Sequence, residues 1–158
     1  MSNAAEIWKP HATVAAICEK DGRFLLVKES ILGQEVLNQP AGHLDPGESL
    51  EQAVIRETLE ETSYQFTPTG LCGIYRFVPE SGPEAHSNRT YLRFSFAGIV
   101  GECLNLPLDD GIISAVWMTL DEIKQSQSQH RSPMVLQCVL DYLEKPTYPL
   151  QLFSPDFL

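Results

Sequence analysis

The chain has 158 residues, 43% of them hydrophobic, enough for one domain with a real core. Its formal net charge of −10 has the wrong sign for nucleic acid, whose phosphates demand a basic face. No apolar run approaches the ~20 residues that a membrane span needs. Residues 1–7 open with Met-Ser-Asn-Ala and are expected to be a disordered or tag-derived terminus, which leaves 8–158 as a single domain. Residues 11–19 alternate weakly and are rich in small and β-branched types, the pattern of a strand. Lys20-Asp21-Gly22 is a hairpin turn into a second strand over 23–28. A loop or short strand follows over 31–41, then a helix over 49–62. Strands are expected over 71–79, 90–100 and 113–118, separated by a polar Pro/Gly loop at 80–88 and a loop at 104–111. Asp121 reads as the N-cap of a short helix over 122–126. Ser132-Pro133 reads as a cap with proline at the first helical position, opening a helix to about residue 144. Strands mixed with a few helices in this order predict an α/β fold, an α/β/α sandwich around a mixed sheet.

Cys18, Cys72, Cys103 and Cys138 are widely spaced and form no CxxC pair. With no secretory segment, four reduced and mostly buried thiols in a cytoplasmic protein are expected.

The most informative stretch is 42–64. At ~100° per residue, Glu57 and Glu61 lie ~40° apart on the helical wheel and Glu60 ~60° to their side. Leu50, Ala53 and Val54 share that arc, so the acids continue an apolar, inward-facing stripe. Like charges at this spacing repel, and carboxylates beside a dry surface are costly unless paired or bound to a metal. An isolated Glu-rich helix is ordinarily a solvated, salt-bridged face. Here the flanks point elsewhere. Ser49 and Gln52 form a capping box, Asp45-Pro46-Gly47 is a turn, and Gly42 allows a close backbone approach. Glu48 and Glu60 are both within reach of Arg56. Divalent cation binding is therefore predicted.

These residues match the pattern G-x5-E-x7-R-E-U-x-E-E-x-G-U, where U is a bulky aliphatic residue, and the chain thereby resembles the Nudix hydrolase family. Gly42, Glu48, Arg56, Glu57, Glu60 and Glu61 all fall on their places. Thr58 replaces an aliphatic residue, Ser63 replaces the glycine after the helix, and Tyr64 stands at the last apolar position. If Ser63 ends the helix in the left-handed region, its Cβ brings a strain of roughly 1 kcal/mol. Short segments from Trp8, Asn38, Leu92, Arg131 and Tyr148 further resemble the NudJ branch, small bacterial phosphatases acting on thiamine diphosphate, on hydroxymethylpyrimidine diphosphate and on nucleoside di- and triphosphates.

The resemblance implies a Nudix-type fold with a loop-helix-loop catalytic motif and Mg2+-dependent (Mn2+ serving) hydrolysis of phosphoanhydride bonds by metal-activated water. It implies Glu57, Glu60 and Glu61 as metal ligands, helped by the backbone carbonyl of Ala41, with Arg56 and Glu48 completing the catalytic set. The base is either a box glutamate or an acid of a later loop, for which Asp109 and Asp110 are the candidates. Lys28, Arg76 and Arg93 are the candidate substrate cations, although a strand arginine can simply pair with a neighbouring acid. His11 and His43 flank apolar segments near the strand opening and the box loop, where a lone His is more often structural or exposed than catalytic, and Trp8, Tyr75, Tyr91 and Phe94 could stack on a ring or merely pack in the core. A small-molecule partner is expected, with no nucleic acid and no membrane; monomer and homodimer stay open. Alternative readings are a Nudix hydrolase for an oxidised nucleotide, ADP-ribose or a dinucleotide, and a Nudix-fold module that senses nucleotides without cleaving them.

Overall fold

Strand β1 (His11–Lys20) explains its own weak alternation, because it is covered on both faces in a computed structural model that describes residues 6–81 and 84–154. Val14, Ala16 and Cys18 enter one core, and Ile17 enters the other. Strand β2 (Arg23–Ile31) divides likewise, with Leu25 on one side and Phe24 and Leu26 on the opposite side. A strand buried on both faces reads as a continuous apolar run.

The first core is closed by helix α1 (Leu50–Thr62) through Ala53 and Val54, and the second by α2 (Leu120–Gln125) and α3 (Met134–Glu144) through Ile123, Val135, Cys138 and Val139. This is the expected sandwich. Its remaining strands are β3 (Gln34–Asn38), β4 (Ala41–His43), β5 (Tyr64–Phe77), β6 (Tyr91–Cys103) and β7 (Ile112–Thr119). The sheet runs β3-β2-β1-β6-β5, with β4 paired to β1 and β7 to β2. Among the described strands only β1 and β6 pair in parallel, from His11 opposite Tyr91 to Cys18 opposite Gly98, and the other strand pairs are antiparallel. Because β1 meets β2 only at the hairpin end, its first half is free to hold β4, the strand leading to α1.

Two sequence expectations need correction. Strand β5 starts at Tyr64, not at 71: Pro68 is tolerated because β5 is an edge strand, and the register shifts between Pro68 and Gly70 absorb the turn-like Thr67-Pro68-Thr69-Gly70. The N-cap of α2 is Thr119, not Asp121. Its hydroxyl accepts the Glu122 amide at 3.2 Å while the Glu122 carboxylate accepts the Thr119 amide at 2.7 Å, a capping box two residues upstream of the expected cap. The stretch 31–41 holds the short strand expected there, as β3, and the start of β4. Of the expected loose terminus, residues 1–5 lie outside the described residues, as do 155–158 at the other end and 82–83 in the polar loop.

The α1 cap is as expected, with Ser49 Oγ accepting the Gln52 amide at 3.1 Å and Gln52 Oε1 accepting the Ser49 amide at 2.8 Å. Thr58 is fully buried at an apolar position, yet its hydroxyl donates to the Val54 carbonyl at 2.7 Å, so no polar group is left stranded. Helix α1 ends at Ser63 with φ 62°, in the left-handed region. Cys18, Cys72 and Cys138 are buried, Cys103 is exposed, and all four are free thiols. Among the described residues no helix is long and apolar enough to cross a membrane.

Candidate active site

Where β4 delivers the chain to α1, a cleft of about 490 Å³ opens, with the box carboxylates on one wall. Arg56 organises that wall. Its guanidinium donates to both oxygens of Glu48, from Nε at 3.0 Å and Nη2 at 2.6 Å, and Nη2 also donates to the His43 carbonyl at 3.0 Å. Its Nη1 reaches Glu57 at 2.8 Å and Glu60 at 3.1 Å. Both expected partners, Glu48 and Glu60, are therefore engaged at once. The Arg56 bonds hold the Glu48 carboxyl below its ordinary range, and Glu48 in turn drives the Arg56 pKa upward.

Gly42 has a sharper role than general closeness of backbone. A Cβ there would overlap the Glu57 carboxyl, so only glycine lets that side chain lie against β4. Burial raises the Glu57 pKa, opposed by Arg56 and reinforced by Glu60 and Asp109.

The acidic cluster differs in membership from the expected trio. Carboxylate oxygens of Glu57, Glu60 and Asp109 all lie within 4.8 Å of one another. That is close to the roughly 4.2 Å between opposite ligands of an octahedral Mg2+ with bonds of ~2.1 Å. Asp109 comes from the loop after β6, where its amide donates to the Glu60 carbonyl at 3.0 Å. Asp110, its neighbour, is exposed and does not line the cleft. Glu61 sits deeper, with 7% exposure, and its Oε1 accepts the Ala41 amide at 2.6 Å. Burial pushes its pKa up to about 8, with Glu29 and Glu57 adding to the effect. Ala41 also lines the cleft. Hard oxygen donors in this number and spacing fit a divalent cation better than they fit each other.

The opposite wall was mostly invisible in the sequence. Arg93 is there, 5% exposed, donating from Nη1 to Gln39 Oε1 at 2.9 Å and from Nη2 to Asn38 Oδ1 at 3.0 Å. Among the described residues no carboxylate pairs with it, and its Nε has no partner. A buried guanidinium held only by neutral amides keeps its charge available for an anion. Arg131, three residues before α3, donates to Glu29 at 3.0 Å and comes within 3.9 Å of Glu84. Neither Arg131 nor Glu29 was singled out as a site residue. The signal for Glu29 was an acid continuing the apolar strand 24–27, and Arg131 opened a segment that carried the family resemblance without an assigned role.

Lys28 and Arg76 are exposed and line no part of the cleft. Of the aromatic candidates only Tyr91 lines it, with the His43 ring centroid at 6.3 Å and that of His11 at 5.4 Å. The Tyr75 hydroxyl instead donates to Asp141 at 2.7 Å, and Trp8 is 56% exposed outside the cleft.

Comparison with known proteins agrees with this geometry. The family model of the NUDIX domain matches residues 8–138. Phosphatase NudJ of Escherichia coli K12 is 36% identical over 150 residues, covering 94% of this chain and 93% of the relative. A NUDIX hydrolase from Nitrosomonas europaea superimposes with a TM-score of 0.87 at 46% identity, over 94% of this chain and 98% of that one. A MutT NUDIX hydrolase from Burkholderia pseudomallei, at 18% identity and a TM-score of 0.70 over 85% of this chain and 98% of that one, shares the fold. The chain thus belongs to the Nudix hydrolase family and is a hydrolase acting on phosphoanhydrides.

Proposed function

We propose that the chain hydrolyses a phosphoanhydride bond of a small organic diphosphate, such as thiamine diphosphate or hydroxymethylpyrimidine diphosphate, or of a nucleoside di- or triphosphate, with Mg2+ as the working cation and Mn2+ as a substitute. The observation that carries this reading is the convergence of Glu57, Glu60 and Asp109 at one wall of a cleft whose other wall presents Arg93 and Arg131. When bound, a divalent cation neutralises phosphate oxygens and lowers the pKa of a water.

The protein's own groups do the rest. Glu57, Glu60 and Asp109 would hold the cation, supported by Glu61 and the Ala41 carbonyl. Arg56, fixed by Glu48, keeps Glu57 and Glu60 from repelling one another while the site is free of metal. The water's proton passes to a carboxylate of this cluster. Arg93 and Arg131 receive the phosphate that is not being attacked, since a guanidinium fork matches phosphate oxygens. Tyr91 and His43 border the space for the organic ring. A volume of about 490 Å³ lies within the ~300–1,000 Å³ of small-ligand sites.

Phosphate release from a panel of these substrates, with and without Mg2+, tests the reading. Cation-dependent release, with ¹⁸O from labelled water in the product, is expected. Release that persists after chelation would defeat it, and none across the panel would favour the sensing module.

A further inference from the structure

Ser63 is 1% exposed, with φ 62°, a conformation that glycine adopts freely and a residue with a Cβ does not. Its capping duty does not need the side chain. The amide alone donates to the Leu59 carbonyl at 2.8 Å, and glycine would do that as well.

The hydroxyl has a different partner. Ser63 Oγ accepts the Leu106 amide at 2.7 Å, and the Ser63 carbonyl accepts the Leu104 amide at 2.8 Å. Three residues beyond Leu106, the Asp109 amide donates to the Glu60 carbonyl at 3.0 Å. The loop after β6 is thus pinned to the last turn of α1 at Leu104, Leu106 and Asp109. Only Pro107 and Leu108 lie between the last two anchors, and proline fixes one backbone angle there. Freed at Leu106, the segment 105–108 would have to be ordered each time Asp109 met a cation, and that ordering entropy weakens binding.

We infer that Ser63 is a positioning residue of the cation site: its hydroxyl holds the loop so that the Asp109 carboxylate stands beside Glu57 and Glu60 before any ion arrives. This rests on the reading that Asp109 is a cation ligand.

The test is Mn2+ titration by calorimetry of the full chain and of Ser63→Gly, Ser63→Ala, Asp109→Asn and the Ser63→Gly/Asp109→Asn double variant. Losing one such hydrogen bond should raise the Mn2+ dissociation constant about three- to tenfold in either Ser63 variant. In the Asp109→Asn background Ser63→Gly should change nothing further, because the ligand it positions is gone. A purely structural role would instead leave Mn2+ affinity unmoved while shifting the melting temperature in both backgrounds. Ser63→Gly removes the left-handed strain, so it keeps the test open if Ser63→Ala fails to fold. Unchanged affinity in Ser63→Gly beside a weakened Asp109→Asn, or an equal loss in both backgrounds, overturns the inference alone. An Asp109→Asn variant that binds Mn2+ like the unaltered chain overturns the ligand assignment beneath it.

Discussion

On one wall of the cleft, Arg56, Glu57, Glu60 and Glu61 come from six consecutive residues of α1; on the other, Glu29 and Arg131 meet from positions 102 residues apart. The first wall is set by helical pitch, which sequence alone specifies. The second exists only once β2, β3 and β6 are in register and the segment leading into α3 is laid against them: the Arg131 amide is held by the Leu37 carbonyl of β3 at 2.9 Å. The difference teaches where chemistry and selectivity reside. On the proposed function, the locally encoded wall carries the cation chemistry, whereas the tertiary wall can be rebuilt for another substrate without touching the helix.

The comparison breaks most readily at Glu57. Its carboxyl is shared by the Arg56 contact and the acidic cluster, and Glu57→Gln keeps the shape while removing the charge. Turnover should fall by at least ~100-fold, as expected for a group at the reacting centre. A variant that retains most of its activity would show that the helical wall is not where the chemistry happens.

Next comes the loop that brings an acid to that wall from outside the helix. Asp109→Asn should lower turnover by roughly ten- to a hundredfold, and Asp110→Asn by less than about twofold, since only the former lines the cleft. Steady-state kinetics at saturating Mg2+ distinguish the pair. Equal effects would mean that the loop acts as a whole and that the orientation of Asp109 is incidental.

The tertiary wall should respond in a different parameter. Arg131→Met is expected to raise KM by about tenfold, the scale of a lost hydrogen bond to a charged group, with a much smaller change in kcat. Glu29→Gln releases the same guanidinium from its partner at 3.0 Å and should not raise KM. If Arg131→Met instead lowers kcat and leaves KM alone, the proposed division of labour between the walls is wrong.

What the sequence disclosed follows the same division. Helix α1 with its capping box and the Glu57–Glu60 spacing are readable because each depends on neighbours three or four residues apart, and the sandwich follows from the order of locally patterned strands and helices. Thr119 was passed over for Asp121 because both are capping types, and only the backbone geometry decides between them. The early start of β5 was hidden by Pro68 and Gly70, which signal a turn unless the strand is known to lie at an edge. Glu29 and Arg131 each left a faint local signal, an acid continuing an apolar strand and the opening of a segment without an assigned role, but no spacing rule links residues so far apart. Asp109 fell between these cases: it was readable as one of two acids, but the Glu60 carbonyl that orients it belongs to another element.

The smallest expected effect is one of stability, and it isolates the deepest acid of the helical wall. In the metal-free protein the Glu61 pKa stands near 8, against an ordinary 4.5, because burial penalises its charged form. Between those values the folded chain keeps a proton that the unfolded chain has released. Stability must then fall as pH rises through the interval. His43 and His130 are shifted down by burial and act in the opposite direction, but their contribution ends near 6.5. The clean window is therefore pH 6.5 to 8. There urea unfolding in the presence of a chelator should show a loss of about 1 kcal/mol, below the limit of ~1.4 kcal/mol per pH unit for one proton. Glu61→Gln cannot titrate and should flatten the profile; burial shifts Glu57 in the same direction. Added Mg2+ should stabilise the unaltered chain more at pH 8 than at pH 6.5, since at the higher pH no proton has to be displaced. An unaltered chain with a flat profile, or a Glu61→Gln variant with the same slope, would mean that the helical wall is wetter than its packing shows, and that the carboxylates there are held by solvent and not by the fold.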